Sequence, residues 1–313
     1  MNAVVRPATL TIATRKSQLA LWQAEHVAAL LRSAHPGLTV ELLPMSTKGD
    51  LILDRSLAAI GGKGLFIKEL EIALDERRAD IAVHSMKDVP AQMPPGFVIG
   101  AVLPRADPHD ALLAPRHLRL DELPPRARVG TSSLRRQAQL LAARPDLAIE
   151  PLRGNVNSRI RRLDDGELDA IVLACAGLVR LGWESRISAR LDTRISLPAV
   201  GQGVIGVECR DGDAATLARI AALEHAPTRA AVSAERAFAA RLGGSCQSPV
   251  AAHATLDGDR LHLDGLVAQP DGSRVLRDAL DGSAHEAAAL GERLADALLA
   301  AGAGALLERL RAG

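Results

Sequence analysis

Tyrosine is absent from this 313-residue chain, and aromatic residues together make up only 2% of it. Single-stranded nucleic acid is gripped by stacking bases on aromatic side chains, so that mode of binding lacks its platforms. An excess of charge of one sign is also missing. The 38 basic residues face 37 acidic ones, and a formal net charge of +1 argues against a general polyanion binder and against nucleic acid as a partner. No stretch approaches the ~18 uninterrupted apolar residues of a membrane span. The first residues, Met-Asn-Ala-Val-Val-Arg-Pro, carry no apolar run resembling a signal peptide. Three cysteines, Cys175, Cys209 and Cys246, are too few and too scattered for a disulfide scaffold. The expectation is a cytoplasmic protein with reduced thiols and no membrane partner.

Lysine is scarce in an informative way. Only five of the basic residues are Lys, all at or before Lys87, and the rest are Arg. Arginine is the side chain whose planar fork grips a carboxylate or phosphate with two parallel hydrogen bonds. Apolar residues at 48% and charged residues at 24% are ordinary for a globular chain, and the length suggests two or three domains.

The first 200 residues alternate short apolar strands with amphipathic helices. Strands are expected at Thr9 to Ala13, Thr39 to Met45, Asp80 to His84, Arg128 to Gly130, Ala148 to Leu152 and Asp169 to Ala174. Helices are expected at Ser17 to Ser33, Gly64 to Arg77, Ser133 to Arg144 and Asn155 to Leu163. Such alternation implies parallel sheets covered by helices. Beyond it come two helices, Ala214 to Glu224 and Thr228 to Leu242, three strand-like segments joined by turns, and a long Ala/Leu helix from Ala284 onward. That last part reads as a small α+β domain.

Two openings match. Ile12-Ala-Thr-Arg-Lys-Ser17 and Val129-Gly-Thr-Ser-Ser-Leu-Arg-Arg136 each lead from a strand into a helix. A Ser or Thr there can cap the helix while unpaired backbone N–H groups face outward, a setting that attracts anions. One such turn is usually only a capped helix with surface arginines. Two on successive α/β units favour a cleft with an anion held between lobes.

Several motifs dissolve on inspection. Gly201-Gln-Gly203-Val-Ile-Gly206 matches the dinucleotide fingerprint in letters, but Val204 to Cys209 reads as a strand where the fingerprint needs a helix, so NAD or FAD is rejected. Ile60-Gly-Gly-Lys63-Gly-Leu65-Phe66 lacks phosphate-loop spacing and reads as a glycine hinge, with a gating loop as its functional reading. Metal binding finds no C-x-x-C and no paired His spacing. Cys175 and Cys209 fall in strand-like apolar runs and read as inert core residues. Cys246 differs, since Leu242-Gly-Gly-Ser-Cys-Gln-Ser-Pro249 surrounds it with small residues. It could be a nucleophile with His84 or His253 as partner, a covalent anchor, or an idle thiol.

The sharpest segment is Ile81-Ala-Val-His-Ser-Met-Lys-Asp-Val-Pro90. A buried strand ends in polar groups at the edge where α/β folds hold ligands. Strand alternation would point Lys87 and Asp88 oppositely, one toward an anionic substituent and the other toward a developing cation. Arg153-Gly154-Asn155-Val-Asn-Ser-Arg159 follows another strand end, with Gly154 permitting close backbone approach. With Arg15, Arg135, Arg136 and Arg180 the arginines exceed what one phosphate needs, and a ligand with many carboxylates fits better.

These blocks, together with Leu19-Ala-Leu-Trp-Gln23, Gly61-Gly-Lys-Gly-Leu-Phe66, Leu152-Arg-Gly-Asn155 and Leu197-Pro-Ala-Val-Gly-Gln-Gly203, span nearly the whole chain. In that order they resemble the porphobilinogen deaminase (hydroxymethylbilane synthase) family. The resemblance implies an α/β fold of two lobes similar to periplasmic anion-binding proteins plus a small C-terminal α+β domain. The implied limits are residues 1–103 with 204–222, residues 104–203, and residues 223–313.

It also implies a monomeric transferase that condenses four porphobilinogen molecules head to tail with release of ammonia. The growing chain starts from a dipyrromethane cofactor attached to Cys246 by a thioether. Ser245 stands where the family commonly has glycine. By the same match Asp88 is catalytic, and Ser85, Lys87, Thr131, Ser132, Ser133, Arg135 and Arg136 are cofactor contacts. Arg15, Ser17, Arg153, Gly154, Arg159, Arg180 and Gln202 are substrate contacts, Lys63 and Phe66 belong to a lid, and no metal is implied. The competing readings are a non-catalytic two-lobed anion-binding protein and a thiol acyltransferase.

Overall fold

Strand β1 (Thr9–Arg15) runs parallel to β2 (Thr39–Met45) and to β3 (Ile81–Ser85), and a capped helix α1 (Gln18–Ala34) joins the first two. The computed structural model describes residues 9–47, 49, 67–243 and 248–312. Helix α2 (Lys68–Asp75) precedes β3. The alternation of β3 decides which helix covers which face. Ile81 and Val83 pack with Leu10, Ile12, Ala24 and Val27, whereas Ala82 meets Leu70, Ala73 and Leu74 of α2. A strand buried on both faces therefore reads as a continuous apolar run.

The sheet is not wholly parallel. Its order is β2-β1-β3-β10-β4, and β10 (Ile205–Arg210) runs antiparallel to both β3 and β4 (Phe97–Val102). The chain leaves this sheet after β4 and builds a second of the same form, order β7-β6-β8-β5-β9. In it β6 (Arg128–Gly130) is parallel to β7 (Ala148–Glu150) and β8 (Ala170–Ala174). Strand β5 (Asp110–Leu113) is antiparallel to β8 and to β9 (Ala189–Leu191). Each expected parallel sheet is thus mixed, because the strand arriving through a crossover from the other lobe, β10 or β5, runs antiparallel to both its neighbours. Helices α3 (Leu134–Ala143) and α4 (Val156–Asp164) follow β6 and β7, and α5 (Cys175–Arg180) follows β8. Cys175, expected in a strand, is the first residue of α5, since β8 ends at Ala174 with no intervening loop.

Helix α6 (Ala214–Ile220) closes the first lobe. The remainder is an antiparallel sheet of β11 (Val250–Asp257), β12 (Arg260–Ala268) and β13 (Val275–Ser283). It is covered by α7 (Ala226–Arg241), α8 (Ala287–Ala300) and α9 (Ala303–Ala312). The single long terminal helix expected from Ala284 is therefore two, divided where Gly302 takes φ +99°. Phe238, wholly buried, fills the space above Gly265, where a Cβ would lie 2.8 Å from its ring. The molecule is a two-lobed α/β protein with a small C-terminal α+β domain.

Candidate active site

In the first lobe the site grows from two neighbouring strand ends. β1 stops at Arg15, and Ser17 caps α1 by accepting from the Ala20 N–H at 3.3 Å. β3 stops at Ser85, and Met86–Asp88 form a 3₁₀ turn before Val89 and Pro90. Lys87 and Asp88 both lie on this turn and not on a strand, so strand alternation does not set their directions. With about three residues per turn, their side chains still diverge, by about 120°. Arg15, Ser17, Gln23, His84, Ser85 and Asp88 line a cleft with about 400 Å³ of space, part of it open to solvent. The Gln23 amide donates to Ser85 Oγ at 2.8 Å, joining α1 to the end of β3.

The second lobe repeats the plan. Ser133 caps α3 by accepting from the Arg136 N–H at 3.4 Å, and Thr131 Oγ1 accepts from the Ser133 N–H at 3.2 Å. Ser132 Oγ accepts from the Leu152 N–H at 2.9 Å, so its hydroxyl ties the end of β6 to the segment after β7. Asn155 caps α4 through Ser158 at 2.9 Å. Gly154 sits at φ +101°, and a Cβ there would lie 2.3 Å from Ser158 Oγ, so no other residue fits without rearrangement. Its carbonyl accepts from Arg159 Nε at 2.8 Å.

Beneath α3 lies a residue that the sequence did not single out. Asp110, wholly buried, accepts from Arg135 Nη1 at 2.8 Å and Nη2 at 3.2 Å, and from Arg136 Nε at 2.9 Å and Nη2 at 2.7 Å. Burial alone would raise its pKa, but the two guanidinium groups reverse this and hold the carboxyl far below the usual range. Gln202 is only 1% exposed and donates to the same carboxylate at 3.0 Å and to the Pro108 carbonyl at 2.7 Å. Its Oε1 is buried without a hydrogen-bond partner.

The electrostatics join the lobes. Burial pulls the Lys87 ammonium down to about 8, with Arg136 and Arg135 lowering it further and Asp88 and Asp110 opposing. Burial likewise draws Arg159 down to about 10, helped by Arg136, Arg153 and Arg15 and opposed by Asp88. Lys87 and Asp88 of the first lobe therefore share one field with Arg136 and Arg159 of the second. Arg180, drawn to about 10 by burial, donates to the Gly203 carbonyl at 2.7 Å and lies 5.8 Å over the Trp22 ring. Asn157 reaches across to Gln18 at 2.8 Å. Such a crowd of incompletely neutralised cations is costly unless anions join it.

Cys246, Lys63 and Phe66 lie outside the described residues. Burial pushes the other two thiols up, Cys175 to about 12 and Cys209 to about 11, which makes both poor nucleophiles. His84 is tied to Glu208 at 2.7 Å, and burial drives His253 down to about 3. The Gly201 to Gly206 stretch leads into strand β10, not into a helix. Among the described residues no three His, Cys, Asp or Glu side chains gather as a metal site, and no helix is long and apolar enough to cross a membrane.

Two capped helix starts and paired strand ends give a two-lobed α/β protein whose cationic cleft has the chemistry to receive acidic groups. Residues 10–218 match the family model described as porphobilinogen deaminase, dipyromethane cofactor binding domain, and residues 229–300 match that of the porphobilinogen deaminase C-terminal domain. A porphobilinogen deaminase of Xanthomonas euvesicatoria pv. vesicatoria is 58% identical over 302 residues, covering 96% of this chain and 99% of that one. One of Thiobacillus denitrificans is 54% identical over 304 residues, covering 97% and 99%. Among solved structures, the methionine-binding protein MetQ aligns with a TM-score of 0.46 at 16% identity, over 69% of this chain and 90% of that one. The Bordetella pertussis BvgS VFT2 domain aligns at 0.43 and 15% identity, over 69% and 86%. The chain belongs to the porphobilinogen deaminase family, and its first two lobes carry the match to the dipyrromethane-binding domain.

Proposed function

We propose that the chain is a hydroxymethylbilane-forming transferase in which Asp88 is the catalytic carboxylate and Cys246 anchors the dipyrromethane. When bound, that group supplies the nucleophilic pyrrole carbon from which the linear tetrapyrrole is extended. The residues present suit it. Its acidic arms need cations, which Lys87, Arg135 and Arg136 offer, and the buried Gln202 Oε1 still lacks a donor. Thr131, Ser132, Ser133 and Ser85 would complete this side.

Porphobilinogen carries an acetate, a propionate and an aminomethyl group. Loss of ammonia leaves its ring cationic, and a carboxylate near the pyrrole N–H steadies that charge. Asp88 on the cleft wall, with Lys87 and Arg159 beside it, is the single observation that carries this reading. By comparison with single preorganised donors in other sites, its contribution is about 3 kcal/mol. Arg15, Ser17, Arg153 and Arg159 would hold the substrate's carboxylates, and Gly154 lets the backbone approach. For Arg180 the hydrogen bond to Gly203 supports an indirect part, while Gln202, whose NH2 is spent on Asp110 and Pro108, keeps only its Oε1 for a ligand donor. Lys63 and Phe66 are assigned to a loop over the site. We also take the protein to be a cytoplasmic monomer, with domain limits following strand membership: 1–103 with 204–222, 104–203, and 223–313.

Intact-mass measurement of the purified protein tests the anchor. A dipyrrole adduct lost in Cys246→Ala supports it. Active protein with an unmodified thiol would refute it.

A further inference from the structure

Asp110 accepts six hydrogen bonds, more than the roughly four lone-pair positions a carboxylate offers. Four come from Arg135 and Arg136, one from Ser196 Oγ at 2.7 Å and one from Gln202 at 3.0 Å. The donors belong to two separate parts of the chain. The arginines open α3, just after its capping Ser133, whereas Ser196 and Gln202 lie on the segment that returns from β9 to β10. The same segment is fastened again nearby: the Leu197 carbonyl accepts from Arg135 Nη1 at 2.6 Å, and the Leu197 N–H donates to Gln139 Oε1 at 2.7 Å.

Neighbouring residues on a helix point about 100° apart, so two successive arginines do not converge on one point unaided. Here a single buried carboxylate draws both together and cancels one of their two charges. Guanidinium N–H groups remain on each after these bonds, since each carries five. The effect reaches the cleft, because Asp110, Arg135 and Arg136 all act on the Lys87 ammonium.

Resting on the family reading above, we propose that Asp110 is a positioning residue for carboxylate recognition: it holds Arg135 and Arg136 as a preformed pair of fixed net charge, and through Ser196 and Gln202 it ties that pair to the crossover between the lobes. A ligand's acidic arm then meets donors already oriented and desolvated, with no ordering left to do on binding.

The test is Asp110→Asn, which keeps the shape and removes the charge. Three quantities are read: adduct occupancy by intact mass, kcat per adduct-bearing molecule alongside KM, and the rise in Tm on adding inorganic sulfate. Misplacement of the pair should lower kcat per loaded molecule by about 100-fold while KM for porphobilinogen stays within about twofold. Sulfate should raise the Tm of the variant more than that of the wild type, since two guanidinium charges are then uncompensated. A merely structural aspartate would lower Tm and leave both readouts alone. Loaded Asp110→Asn with wild-type kcat and wild-type sulfate response overturns the proposal. Should that variant fail to fold, Ser196→Ala decides: it removes one tether only, and a lower kcat per loaded molecule at unchanged KM supports the proposal, whereas no change in kcat overturns it. Wild-type protein without an adduct would instead defeat the cofactor reading, which separates the two failures.

Discussion

Replacing Lys87 by Met should stabilise the protein without its cofactor and harm the protein that carries it. The structure sets the size and the sign. Burial, with Arg136 and Arg135, lowers the ammonium from 10.5 to about 8. At about 1.4 kcal/mol per pH unit, carrying that charge in the folded state costs about 3 kcal/mol at most, and solvent reaching part of the side chain reduces it. The folded pKa lies below the unfolded one, so the unfolded chain binds the proton more tightly. The penalty is therefore complete below pH 8, shrinks as pH rises from about 8 to 10.5, and vanishes above. In a Cys246→Ala background, which holds no covalent ligand, Lys87→Met should raise stability at pH 7 by about 1–3 kcal/mol, read as a higher urea midpoint. At pH 10 most of the gain should be gone. In loaded protein the carboxylates of the ligand restore the ammonium, and Lys87→Met should lower adduct occupancy. A destabilised Lys87→Met in the Cys246→Ala background at pH 7 would refute the reasoning. So would a gain equal at pH 7 and pH 10, which would mean that packing and not charge is responsible.

Asp88→Ala should keep its adduct and its fold yet lose turnover by roughly 100- to 1000-fold, as expected for one preorganised electrostatic group; near-normal rates would remove Asp88 from the chemistry. Glu235→Leu should cost about 3–5 kcal/mol, because it strands a partly buried cation. Wholly buried Glu235 binds Arg105 at 2.6 Å and the N–H groups of Gly201 at 2.7 Å and Ala254 at 2.8 Å, fastening α7 and β11 to both crossovers between the lobes. Thermal unfolding within a degree of wild type would show that this junction carries nothing.

Local signals were legible and long-range ones were not. Ser17 and Ser133 were readable as caps because a small hydroxyl residue before an amphipathic run has one common use, and both do cap. Strands β1, β2 and β6 were readable from their apolar patterns. The direction of β10 was not, since it depends on how the chain returns from the second lobe and on no residue within the strand. The directions of Lys87 and Asp88 are not legible from strand alternation, because three residues are too few to separate a three-residue turn from a two-residue pleat. Asp110 was invisible for a plainer reason: its partners lie 25 to 92 positions away, and a lone Asp before Ala-Leu-Leu carries no motif.

That gap changes how the arginines are to be counted. The sequence shows many and does not say which the protein has already neutralised. Arg105 has Glu235, and Arg135 and Arg136 share Asp110. Among the described residues Arg153, Arg159 and Arg180 form no ion pair with a protein carboxylate. Burial lowers the pKa of Arg159 and Arg180, so both carry charge at a cost. A protein that needed these guanidinium groups only to hold its fold would gain by supplying their carboxylates itself, as it does beneath α3. Leaving Arg159 unmatched in the field of Asp88 makes sense if the missing negative charge arrives with the ligand, one acidic arm after another as the chain lengthens.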